Sequence, residues 1–243
     1  MTASRVNARF LFLATAVGAF APTVHAAPPR AVIELFTSQG CSSCPPADKL
    51  LATLAKDPDL IALSLPVDYW DRLGWKDTFA KHAFTQRQQA YAAMRGDGQV
   101  YTPQAVVNGS EHAVGSQALA IETAVGETSA NLRVPLSAER KAENILVSVG
   151  AADGQVAQGT VVLLPVLASR EVAIGRGENA RRTVTYTNIV RDIVAVADWS
   201  NKAVVLTIPT AQFKNYDSVV VLLQAGSIDR PGAILGAART RLR

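Results

Sequence analysis

The chain of 243 residues holds two cysteines, Cys41 and Cys44, three residues apart. A disulfide across so short a ring restrains an unfolded chain little. The chain-entropy model gives about 1.9 kcal/mol, against about 3 kcal/mol for a fifteen-residue ring. The spacing suits rapid opening and closing instead, because the second thiol stays within reach of a mixed disulfide on the first. The residues after the pair predict a helix starting near Ser42, which puts Cys41 at or just before a helix N-terminus. There the positive end of the helix and its N–H groups favour the thiolate. A thiol pKa lowered from about 8.5 to about 7 raises the thiolate fraction at pH 7 from roughly 3% to about half. Cys41 therefore reads as the attacking thiol, and Cys44, one turn inside the helix, as the resolving thiol.

Two other functions compete. The same pair can hold Cu(I) or share Zn(II), as a metal-binding protein or metallochaperone would. Only His82 and His112 add imidazoles beyond the first 26 residues. The third reading is a non-catalytic binding scaffold. No cofactor is expected, since no Gly-rich phosphate loop, hydrolase elbow or nicotinamide fingerprint is present. Electrons are expected to come from, or leave to, a redox partner protein.

The elements that position the pair follow from periodicity. Ala31–Phe36 is a β-rich run, and Thr37-Ser-Gln-Gly40 a polar turn. Ala47, Leu50, Leu51, Leu54 and Ala55 repeat at helical spacing, and Pro45 and Pro46 are tolerated in a first turn. Leu60–Leu65 predicts a second strand, and residues 76–94 a helix. Ala105–Val107 and Ser110–Val114 flank Asn108-Gly109, a strong hairpin turn. A last helix is expected from Ser116 through Val125. Strands alternating with helices predict an α/β unit over residues 30–127. From Ile145 onward, β runs at 145–149, 161–166, 184–186, 193–196, 204–208, 219–223 and 234–239 predict a β-sandwich-like domain over 136–243. The linker is expected within Gly126–Pro135.

Residues 1–26 read as a signal peptide: Arg5 and Arg9, an apolar run over Leu11–Ala21, and small residues before Ala27. The run is too short to span a membrane. Export to the periplasm or medium is expected, with no stable membrane insertion after cleavage. Removing Arg5 and Arg9 takes the basic residues from 24 to 22, against 20 acidic. That balance argues against nucleic acid as a partner. The expected substrate is a protein or small-molecule thiol or disulfide. Arg176, Glu178, Asn179, Arg181 and Arg182 form a charged, glycine-flanked loop, read as a solvated hairpin end or a docking site.

The stretch from Val32 to Cys44 resembles the strand–turn–Cys-x-x-Cys–helix of thioredoxins, and Thr102-Pro103 resembles their cis-proline hairpin. More closely, the chain resembles an exported bacterial family, domain of unknown function 1223. The likeness rests on Glu34–Asp48, Val67–Asp71 with Gly74–Asp77, Val100–Gln104 and Gly175–Asn179. It implies a thioredoxin-like N-terminal fold and a thiol-redox role. It also implies that Glu34, grouped by strand alternation with the apolar Val32 and Phe36, is a buried proton shuttle beneath Cys44, with a solvent-facing place at a sheet edge as its alternative. A cis Pro103 would leave the Thr102 backbone to pair with an extended substrate. Gly40 stands where thioredoxins carry an aromatic residue, which removes a lid from the substrate side. Pro66 stands where the family often has histidine. Asp68 and Trp70 are candidates for a substrate groove, with capping and packing as their alternative roles.

Overall fold

The computed structural model describes residues 28–153 and 158–243; the expected signal peptide lies outside the described residues. Fully buried apolar runs make the first strands. All seven residues of β1 (Ala31–Thr37) are buried, and so are all seven of β2 (Leu60–Pro66), as suits strands covered on both faces. Between them lies α1 (Pro45–Leu54). After β2 come α2 (His82–Arg95), β3 (Gln104–Val107), β4 (Glu111–Val114) and α3 (Ala118–Thr128). The later strands are β5 (Leu136–Lys141), β6 (Asn144–Val149), β7 (Gly159–Ala173), β8 (Thr183–Val190), β9 (Val194–Trp199), β10 (Val204–Pro209), β11 (Ser218–Gly226) and β12 (Pro231–Arg241), with short 3-10 turns at Ser129–Asn131 and Thr210–Phe213.

The expected fold, a thioredoxin-like α/β domain followed by a β-sandwich-like domain, is not what forms. The described residues are mostly β, with 42% of them in strands and 21% helical. A nine-stranded mixed sheet runs β12-β11-β7-β8-β2-β1-β3-β4, with β9 also paired to β7. The cause is an edge. β2 pairs with β1 along its length, which leaves its other side as a row of unpaired backbone groups. β8 takes that side in parallel, with Ser64 opposite Ile189. Asn188 reinforces the join, its Nδ2 donating to the carbonyl of Ala62 at 2.9 Å.

Side-chain alternation sorts the core onto two faces. Val32, Phe36, Leu63, Val106, Leu164, Val220 and Leu222 form one cluster across the sheet, with Phe84 and Tyr91 of α2. On the opposite face, Ile33, Leu35 and Ala62 meet Ala47 and Leu51 of α1 and Ile121 of α3. Farther along, Val161, Leu163 and Val221 meet Ile145, Val147 and Ile208 of a three-stranded sheet, β10-β6-β5.

Glu34 faces the first cluster, where Arg87 Nε and Nη2 donate to its two oxygens at 2.7 and 3.1 Å. Tyr91 donates to Glu34 at 2.6 Å, and Gln224 Nε2 of β11 donates to Tyr91 at 2.8 Å. This buried network ties α2 to strands from both ends of the sequence. Among the described residues, no helix is long and apolar enough to cross a membrane.

Candidate functional site

β1 ends at Thr37, and the chain turns twice before α1. Cys41 N–H donates to the Ser38 carbonyl and Cys44 N–H to the Cys41 carbonyl, each at 3.2 Å. Cys41 and Cys44 are joined as a disulfide, Cα to Cα 5.4 Å. The helix starts later than the spacing predicts: Cys44 is its N-cap, not a residue one turn inside. Pro45 and Pro46 fill its first two positions and carry no N–H. The amide donors expected to hold a thiolate are therefore largely missing, and the helix dipole remains. The nearest side-chain donor is the Ser43 hydroxyl, 3.3 Å from Cys41 Sγ.

Three expected groove residues gather beside the pair. A side chain on Gly40 would come within 3.1 Å of Trp70 Cβ, so glycine lets the tryptophan close in. The Trp70 backbone and Cβ therefore lie against the turn just before Cys41. Its Nε1 donates to Thr102 Oγ1 at 2.8 Å. The Thr102–Pro103 peptide bond is cis, and Ser43 Oγ donates to the Thr102 carbonyl at 3.4 Å. A surface groove of about 490 Å³ runs along this edge, lined by Tyr69, Trp70, Arg72, Tyr101 and Thr102 among others.

Asp68 and Glu34 stand apart. Asp68 accepts from Thr85 at 2.5 Å and contacts His82 Nδ1 at 3.0 Å, at the start of α2. Burial would raise its carboxyl, but Thr85 and His82 hold it below the usual range. Glu34 lies on the face of β1 turned away from α1, engaged by Arg87 and Tyr91.

The loop between β7 and β8 is a strap over the disulfide. Asn179 is 1% exposed, and its Nδ2 donates to the carbonyls of Gln39 and Cys41. Glu178 accepts from Ser42 N–H at 3.1 Å. Trp75 packs against Gly175 and donates to Gln39 Oε1 at 2.9 Å. Under this cover Cys41 and Cys44 are both 0% exposed, while Ser42 and Ser43 stay open to solvent.

A second layer beneath the turn was not anticipated. Asp77 accepts from the N–H groups of Gln39, Phe79 and Ala80. Burial nevertheless pushes its carboxyl up. Asp48 of α1 is 3% exposed and accepts from Thr37 Oγ1 at 2.9 Å. Burial pushes its carboxyl up to about 7, against the Thr37 hydrogen bond and with help from the Asp77 charge. Burial and the charges of Asp48 and Asp77 push the Tyr186 hydroxyl of β8 up as well. The signal for Asp48 is its place on the apolar stripe, four residues after Cys44 and three before Leu51. Among the described residues, no three His, Cys, Asp or Glu side chains converge as a metal site.

A family model described as a protein of unknown function, DUF1223, matches residues 32–224. The chain belongs to that family. The DUF1223 span takes in the disulfide turn, the groove and the strap. A crystal structure of a protein from Agrobacterium tumefaciens is 31% identical with a TM-score of 0.78, over 88% of this chain and 95% of that one. HBP35 of Porphyromonas gingivalis is 13% identical with a TM-score of 0.56, over 88% of this chain and 76% of that one, a likeness of fold alone. No curated protein matches.

Proposed function

We propose that the chain is an exported thiol–disulfide oxidoreductase, acting in the periplasm or medium on protein or small-molecule thiols. The observation that carries this reading is the local Cys41–Cys44 disulfide, closed beside the open Ser42-Ser43 edge and the Thr102 groove. A bridge of this span adds little stability, so exchange is its better use. Export is supported by the basic-apolar pattern of residues 1–26 and by a compartment in which disulfides persist.

In the reducing direction, the Cys41 thiolate attacks a substrate disulfide. One substrate sulfur leaves as a thiolate and the other stays bonded to Cys41. Cys44 then attacks Cys41, closing the enzyme disulfide and releasing the second substrate thiol. Two electrons pass to the substrate, and a redox partner protein restores the enzyme dithiol. Run backwards, the same steps oxidise a substrate dithiol. The Ser43 hydroxyl lies 3.3 Å from Cys41 Sγ and could donate to the thiolate by turning from the Thr102 carbonyl.

A Cys44→Ser variant tests the reading. With the resolving thiol gone, a mixed disulfide of Cys41 with glutathione should accumulate and be visible by mass spectrometry. It should be absent from Cys41→Ser. No adduct, together with no reduction of the wild-type disulfide by glutathione, would count against the proposal.

A further inference from the structure

Three observations converge on Asp48. It sits four residues after Cys44, and its N–H donates to the Cys44 carbonyl at 3.1 Å, which places both side chains on one face of α1. Both residues are buried. Thr37 satisfies Oδ1, but among the described residues nothing hydrogen-bonds the buried Oδ2. A buried carboxyl oxygen without a partner is costly to stability, which calls for an explanation. Glu34 differs, since Arg87 and Tyr91 engage both of its oxygens on the other side of the sheet.

We infer that Asp48 is the proton acceptor and donor for the Cys44 thiol. This rests on the thiol-exchange reading above. With a substrate sulfur bonded to Cys41, the Cys44 S–H proton passes to the Asp48 carboxylate. The resulting thiolate attacks Cys41 Sγ. The Cys41–Cys44 bond forms, the Cys41–substrate bond breaks, and the electron pair leaves on the substrate sulfur, which takes a proton from solvent. In reverse, Cys44 leaves as a thiolate and recovers its proton from the Asp48 carboxylic acid.

The setting suits the task. Pro45 and Pro46 remove the amides that would otherwise stabilise a Cys44 thiolate, so a base is the remaining aid. A carboxyl lifted to about 7 can both accept and return a proton near neutrality. The titratable groups facing it are Asp77 from the segment before α2 and Tyr186 from β8. β2 carries none, and Glu34 of β1 turns away.

The test is stopped-flow oxidation of the reduced chain by dithiobis(nitrobenzoate), a symmetrical aromatic disulfide. The first thionitrobenzoate released reports attack by Cys41, and the second reports closure by Cys44. For the wild type, the second phase should quicken with pH through a bend near 7. Asp48→Asn, nearly the same in shape, should slow that phase about 100-fold at pH 7 and abolish the bend. Thr37→Val removes a hydrogen bond that favours the carboxylate, so it should move the bend to higher pH. A purely structural role would move neither bend. An Asp48→Asn second phase with wild-type rate and bend, or an unmoved bend in Thr37→Val, overturns the proton role alone. A wild-type chain that releases no thionitrobenzoate overturns the oxidoreductase reading with it.

Discussion

The side-chain amide of Asn179 donates to the carbonyl of Cys41 at 2.7 Å, across 138 residues of sequence. The same nitrogen donates to the Gln39 carbonyl at 3.0 Å, so one amide pins the turn on both sides of Gly40. A segment between two strands of the shared sheet thereby covers the candidate reactive sulfurs.

Asn179→Ala should therefore speed reduction of the Cys41–Cys44 disulfide by dithiothreitol. Two net hydrogen bonds of about 1 kcal/mol each correspond to a roughly tenfold or larger shift toward the open strap. Thiol release followed by quenched alkylation measures the rate. An unchanged rate would mean that the strap does not limit access.

The buried pair of Glu34 and Arg87 predicts an asymmetric stability effect. Glu34→Ala leaves a guanidinium that is 2% exposed without its carboxylate, and should cost about 3–5 kcal/mol. Glu34→Leu combined with Arg87→Met should recover most of that loss, because the desolvated charges go together. Urea denaturation of the single and double variants checks this. Equal losses in both would place the stabilising effect in shape rather than charge.

Asp48 predicts a pH dependence of stability with a definite sign. Its folded carboxyl is raised to about 7 from 3.8, so between those values the native state holds a proton that the unfolded state has released. Stability should fall as pH rises through that window, by up to about 4 kcal/mol at 1.36 kcal/mol per unit. Asp48→Asn should flatten this part of the curve. A wild-type profile that is flat from pH 4 to 7, compared by denaturation with the variant, would contradict the raised carboxyl.

Gly109 predicts a backbone effect. Its φ is +69°, and a Cβ there would lie 2.5 Å from the Gly232 carbonyl oxygen. Gly109→Ala combines left-handed strain with a clash against β12, and should lower the melting temperature by roughly 5–10 °C. A shift under about 2 °C would show that β12 gives way easily.

Much of this was legible residue by residue. Asn108-Gly109 is a hairpin turn with φ positive at both positions, as the pair of residue types demands. The seven apolar runs after Ile145 all became strands. β5 escaped notice because Leu136-Ser-Ala-Glu-Arg-Lys141 is half-exposed and charged, and its strand character comes from pairing with β6. The joining of β8 to β2 left no local mark, since a vacant strand edge looks the same whichever segment fills it. The helix expected over 76–94 begins only at His82, because Asp77 takes the N–H groups of Phe79 and Ala80 into a turn. At the site, the cysteine spacing and Thr102-Pro103 were readable. The strap was visible only as a charged loop, because the partner of Asn179 is a distant backbone carbonyl.

The most direct measurement is the reduction potential of the Cys41–Cys44 couple, obtained by equilibrating the purified chain with glutathione buffers and counting alkylated thiols. An exchanging pair should titrate between about −270 and −120 mV. A disulfide that stays closed below about −300 mV would belong with structural bridges and contradict the thiol-exchange role.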